Sequence, residues 1–230
     1  MNKNDKRWIN KWSNAPYRPI VDNFIVGKAY IPQFEPISSI QMATYSEAMG
    51  NHFKEGMIIL DYGCRTGRYC HFLSQWLKNF KYYGIEIKGG ESEILMSEAN
   101  NQIGHDPRVE FGLIGDSIES KSISESNVIL LGSIYTHLKF ETFVDLNDKF
   151  LPVIDRGGII IFSILLSEKY KVVGSGGAYG VKDCYGVAYY KKDMLDDYIS
   201  NCNKYILRDM DTFLAQETYL HTIYRMELRK

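Results

Sequence analysis

The chain has 230 residues, 45% of them apolar, enough to bury one sizeable core with an added cap but hardly two full domains. Its 27 Lys and Arg against 28 Asp and Glu give a formal net charge of −1, so no basic field favours a nucleic acid or an anionic membrane as partner. The polar start, Met-Asn-Lys-Asn-Asp-Lys-Arg-Trp, lacks an apolar signal region and no run approaches eighteen apolar residues, which points to a soluble cytoplasmic protein without a membrane span.

Residues 1–36 are polar and aromatic, and Pro16, Pro19, Pro32 and Pro36 break any long helix there, predicting an irregular arm. Ile40, Met42, Tyr45, Met49 and Phe53 then recur at helical spacing, so a helix enters the first strand. From there strand and helix patterns alternate. Strands are expected over 57–61, 81–86, 109–114, 127–131 and 158–164, and helices over 66–77, 92–102 and 140–153. That alternation is how a parallel sheet with crossover helices is written. The glycine-dense run from Gly174 to Gly180 reads as a loop over a site, 191–202 as a helix, and 207–214 with 219–228 as a hairpin at a sheet edge. The chain divides at residue 56: an arm and entering helix over 1–56, and a ligand-binding domain over 57–230.

The most specific signal is the run from Met57 to Gly67, Met-Ile-Ile-Leu-Asp-Tyr-Gly-Cys-Arg-Thr-Gly, with Glu86 following nineteen residues after Gly67. An apolar run ending in an acid, a glycine turn and then a helix presents backbone N–H groups at a helix N-terminus, with a second acid placed for a ribose. Gly63 and Gly67 stand as G-x-x-x-G, whereas a dinucleotide fingerprint needs G-x-G-x-x-G to approach a pyrophosphate; a nicotinamide cofactor is therefore disfavoured. The segment Leu60 to Tyr69 resembles the first motif of class I S-adenosylmethionine-dependent methyltransferases. Gly132-Ser-Ile-Tyr-Thr-His-Leu138 is similar to the Ser-Val-Phe-Thr-His-Leu segment of a bacterial subgroup of that family, and Tyr185–Tyr190 and Ala215–Tyr219 resemble its closing half.

The resemblance implies a doubly wound, mostly parallel, seven-stranded Rossmann-like sheet in the order 3-2-1-4-5-7-6, with S-adenosyl-L-methionine as cofactor. It implies that Asp61 takes the methionyl ammonium, that Gly63 and Gly67 let the backbone pass close beneath the ligand, and that Glu86 accepts from the ribose hydroxyls. It implies further that Asp116, with the Ser117 backbone beside it, meets the adenine amino group, and that Ser133 lines the methyl end. Each acid taken alone could equally be a turn residue, a helix cap or an exposed strand end. Arg65 stands where the family usually has its middle glycine. The expectation is an ordinary backbone there, with the side chain pointing outward or toward the cofactor carboxylate, a role Arg68 shares.

Methyl transfer needs alignment and exclusion of water more than catalytic side chains, but an alcohol acceptor must still lose a proton. His137 is the candidate base, with Tyr135 as a wall of the methyl pocket; a cap for His137 and plain packing for Tyr135 are the alternatives. His52, His71, His105 and His221 have no motif reason to meet a substrate, and no His pair with an accompanying acid suggests a metal. Cys64, Cys70, Cys184 and Cys202 lack C-x-x-C spacing and are expected to be reduced. The acceptor is expected to be a small molecule or glycan, methylated on oxygen, since Gly-Ser-Ile-Tyr replaces the Asn/Asp-Pro-Pro-aromatic motif of base-nitrogen methylation. A non-catalytic scaffold with a degenerate loop is the rival.

Overall fold

The computed structural model describes residues 35–174, 186–215 and 219–229. The expected arm up to residue 34 and the glycine-dense loop beyond Gly174 lie outside the described residues.

Helix α1 (Glu35–Met49) and a 3-10 turn (Gly50–His52) lead into β1 (Met57–Tyr62), followed by α2 (Arg68–Trp76) and β2 (Phe80–Glu86). Next come α3 (Gly90–Ile103), β3 (Val109–Leu113), α4 (Ser117–Glu125) and β4 (Val128–Leu131). After a 3-10 turn (Tyr135–His137) the chain forms α5 (Phe140–Asp155), β5 (Ile159–Leu166), β6 (Lys171–Val173), β7 (Val187–Tyr190), α6 (Lys192–Asn201), β8 (Tyr205–Ala215) and β9 (Tyr219–Leu228).

Strands β3-β2-β1-β4-β5 are parallel neighbours, β9 runs antiparallel along the far edge of β5, and β8 pairs with β9. Those seven strands give the doubly wound order implied by the resemblance, 3-2-1-4-5-7-6 when numbered among themselves. Two features differ from the sequence reading. The ribbon β6–β7 is added, with β7 pairing at Leu165 and Leu166 on the edge that β4 vacates after Phe162. Helix α4 is also added: its serines weaken the apolar period, yet Ile118 and Ile123 pack on the core and Glu119 is buried.

Successive residues of the central strands alternate between two apolar layers, because side chains on a strand point to opposite faces. Ile59, Leu130 and Ile161 face the layer completed by Met42, Tyr45 and Tyr69. Leu60, Ile129 and Ile160 face the layer completed by Phe143, Phe150 and Leu195. Covered on both faces, these strands read as unbroken apolar runs. Each fully buried Ile or Leu adds about 1.5–3 kcal/mol over leaving it exposed. This rigid sheet fixes the loops at its carboxyl ends, where ligands of open α/β sheets bind.

Candidate functional site

The loop after β1 must turn sharply across the tip of β2, and glycine makes that possible. Gly63 has φ +84°, and a Cβ there would lie 2.0 Å from the Ile134 side chain. Its N–H and that of Cys64 both donate to the Ile85 carbonyl, at 2.7 and 3.2 Å. Gly67, at φ +65°, starts α2. Arg65 corrects the expectation of an ordinary backbone: its φ is +44°. That left-handed conformation costs a non-glycine residue roughly 1–2 kcal/mol. An N–H donated from Arg65 to Glu86 Oε2 at 2.7 Å offsets the strain, being a charge-assisted bond, while the Arg65 side chain is exposed.

Glu86, at the tip of β2, is 4% exposed; its other carboxylate oxygen accepts the Ile87 N–H at 2.8 Å. Asp61, one strand over, is 6% exposed and accepts from the Tyr82 hydroxyl at 2.7 Å. Burial pushes the Asp61 carboxyl up to about 7, with the Glu86 charge adding to the rise and Tyr82 and Arg68 opposing it. Burial also raises Glu86, against the N–H groups of Ile87 and Arg65. Two carboxyl groups out of water beside each other are suited to a ligand that brings positive charge and hydroxyl donors. The cleft at Asp61 is walled by Gly63, Tyr45, Arg68, Leu130 and Gly132.

Asp116 is exposed at the mouth of α4, beyond β3, and its carboxylate accepts the Leu113 N–H at 3.2 Å; Ser117 opens the helix, also exposed. Because β3 is next to β2, these two stand at the rim beyond Glu86. Ser133 follows β4 with φ +62°. His137 lies in the turn after it, half-buried, and its Nδ1 donates to the Gly186 carbonyl at 2.9 Å. A carbonyl only accepts, so Nδ1 carries a proton, and in the neutral ring the lone pair lies on Nε2.

Tyr135 is placed elsewhere. Its ring is fully buried, edge-on to Phe143 and Phe162 at 4.6 and 5.2 Å, in the layer beneath the turn rather than in the cleft wall. Its buried hydroxyl has no hydrogen-bond partner among the described residues. An unpaired buried hydroxyl costs about 1–3 kcal/mol, so Tyr135→Phe should raise stability by about 1 kcal/mol in urea unfolding. A loss of stability would show that the hydroxyl is paired.

The structure brings in four residues that the sequence did not single out as site residues. Gln41 Nε2 donates to the Tyr45 hydroxyl at 3.0 Å and to Ser133 Oγ at 3.2 Å. Ser163 Oγ lies 3.0 Å from the Tyr45 hydroxyl and 3.3 Å from His221 Nδ1, and accepts the Ser133 N–H at 3.0 Å. The signal available beforehand was a lone serine inside the apolar run Ile159–Leu166, which must find partners if buried. His221 thus joins the cluster around Ser163, although no motif marks it. Among the described residues Cys64, Cys70 and Cys202 are free thiols, no group of His, Cys, Asp and Glu is arranged to hold a metal, and no helix is long and apolar enough to cross a membrane.

No protein-family model and no curated protein matches the sequence. Solved structures do match. Magnesium protoporphyrin IX methyltransferase from Synechocystis PCC 6803, with bound S-adenosylmethionine, is 13% identical, with 100% of each chain covered and a TM-score of 0.56. The N-terminal domain of EvdMO1, crystallised with S-adenosylhomocysteine and D-fucose, is 12% identical over 100% of this chain and 98% of that one, with a TM-score of 0.54. The glycopeptide N-methyltransferase MtfA is 11% identical over 93% and 99%, with a TM-score of 0.56. The chain has the Rossmann-like fold that these methyltransferases share.

Proposed function

We propose that the protein transfers a methyl group from S-adenosylmethionine to a small acceptor, on an oxygen of a sugar or metabolite. The observation that carries this is the pair of buried carboxyl groups, Asp61 and Glu86, on adjacent strand tips under a glycine loop. The residues fit the cofactor. Each Glu86 oxygen accepts one backbone N–H, which leaves carboxylate lone pairs for two ribose hydroxyls. A methionyl ammonium offers Asp61 the positive charge that would stabilise its ionised form. Arg68, in the cleft wall, suits the cofactor carboxylate, and Asp116 with the Ser117 backbone suits the adenine edge. Gly63 and Gly67 keep the floor free of side chains, and Ser133 borders the acceptor end.

When bound, the cofactor supplies a methyl group on a sulfonium that is already a good leaving group. The protein's own task is to align the acceptor oxygen and take its proton. His137 serves as that base through Nε2, since the bond from Nδ1 to Gly186 fixes the tautomer. Tyr135 backs the turn from the core. The sugar in the EvdMO1 crystals and the glycopeptide named for MtfA agree with a glycan or small-metabolite acceptor here, while the Gly132-Ser-Ile-Tyr135 sequence favours oxygen over a base nitrogen.

Calorimetric titration tests the reading: S-adenosylhomocysteine should bind and nicotinamide dinucleotides should not. Binding of neither would favour a scaffold. His137→Ala should keep the affinity for S-adenosylhomocysteine while lowering turnover about 10²–10⁴-fold. Unchanged turnover would remove His137 as the base.

A further inference from the structure

Four groups around Ser163 form a chain of hydrogen bonds whose direction can be worked out. Both hydrogens of the Gln41 amide are donated, one to the Tyr45 hydroxyl and one to Ser133 Oγ. Tyr45, having accepted, has its own hydrogen to offer to Ser163 Oγ or to Ser133 Oγ, both within its reach. With the Tyr45 hydrogen on Ser163, Ser163 receives two hydrogens, the other from the Ser133 N–H, and its own goes to His221 Nδ1. That requires a neutral His221 with a lone pair on Nδ1. Burial supplies the neutral ring, lowering His221 to about 4.

What the chain holds is Ser133. Its left-handed backbone, at φ +62°, is one that L side chains avoid and that persists only where the surroundings over-determine it. Three bonds do so here: its N–H to Ser163, its Oγ from Gln41, and its carbonyl accepting the Thr136 hydroxyl at 2.6 Å. The last ties Ser133 directly to the 3-10 turn that carries His137.

We propose that Ser163, oriented by Tyr45 and His221, is a positioning residue for the acceptor half of the site: it locks Ser133 in the left-handed conformation and so aims His137. The role rests on the methyl-transfer reading, in which His137 is the base. It links helix α1, strand β5 and strand β9 to a turn that none of them contains. His221 contributes as a neutral hydrogen-bond acceptor, not as a proton carrier.

The test is nitrogen NMR of histidine-labelled protein, recorded with and without S-adenosylhomocysteine, on Ser163→Ala, His221→Leu and His221→Asn. In the wild type, His137 should show the Nδ1–H form. Ser163→Ala and His221→Leu should shift both His137 nitrogens toward the averaged values of mixed tautomers, with ligand affinity within threefold of wild type. His221→Asn, whose side-chain oxygen replaces Nδ1 as acceptor, should keep the wild-type signals. Unchanged His137 signals in His221→Leu, or an asparagine variant indistinguishable from the leucine one, overturn the proposal. If Ser163→Ala does not fold, the two His221 variants decide the matter. Failure of the wild type to bind S-adenosylhomocysteine defeats the methyltransferase reading, while the His137 nitrogens still report whether the turn is aimed from Ser163.

Discussion

Glu86→Ala should weaken the binding of S-adenosylhomocysteine about 100-fold or more. A carboxylate accepting two ribose hydroxyls makes charged hydrogen bonds worth roughly 1.5–3 kcal/mol each, and tenfold in affinity is about 1.4 kcal/mol. The same substitution removes the acceptor of the Arg65 and Ile87 N–H groups at 2.7 and 2.8 Å, so the loop that must bend beneath the ligand loses its tether as well. Glu86→Gln keeps the shape and one acceptor oxygen and should fall between, near tenfold. Calorimetry measures both. An alanine variant within threefold of wild type would place the ribose elsewhere and remove the main support for the cofactor site.

Asp61→Asn should give an apo protein that is more stable than wild type at pH 8 and no longer binds S-adenosylhomocysteine. The Asp61 carboxyl stands at about 7 in the fold against an ordinary 3.8. Between pH 4 and pH 7 the folded state therefore holds a proton that the unfolded chain has released. Stability from this group is fully present below pH 4 and declines as pH rises, by up to about 1.4 kcal/mol per unit. By pH 8 the loss is on the order of 4 kcal/mol, the cost of an ionised carboxylate in a site with little water. Asparagine avoids that cost and still offers an oxygen to the Tyr82 hydroxyl. Urea unfolding at pH 5 and pH 8 should show the two proteins converging at the lower value and diverging at the higher. Binding reverses the sign: an ammonium favours the ionised carboxylate, so wild-type affinity should rise toward pH 7, by up to tenfold per unit. Parallel pH profiles for the two proteins would show that Asp61 is not buried as described.

Much of the proposed cofactor half was legible in the residues. The run Met57–Asp61, the glycines at 63 and 67 and the acid at 86 need only strand, turn and strand to follow one another, because parallel neighbours automatically bring their tips together. Asp61 and Glu86 are found on adjacent tips for that reason. The Arg65 backbone is not legible locally: only when the loop is laid over β2 does the Glu86 carboxylate come within reach of its N–H and sustain a left-handed conformation. Tyr135 and His137 are two residues apart in one motif, yet the turn sends one ring into an aromatic core and the other to the Gly186 carbonyl.

The proposed acceptor half shows the opposite case. Gln41, Ser163 and His221 are separated by 122 and 58 residues along the chain and share no motif, so no spacing rule connects them. They meet because β9 folds back along β5 and α1 packs across the same face. By itself the sequence determined the alternation of strands and helices and the carboxylates that mark the first two tips, since those depend on patterns within a few dozen residues; the winding was implied only by the family resemblance. The left-handed Ser133 and the hydrogen-bonded cluster that joins it through Ser163 to Tyr45 and His221 were decided only by tertiary packing, which alone removes these groups from water and brings them together.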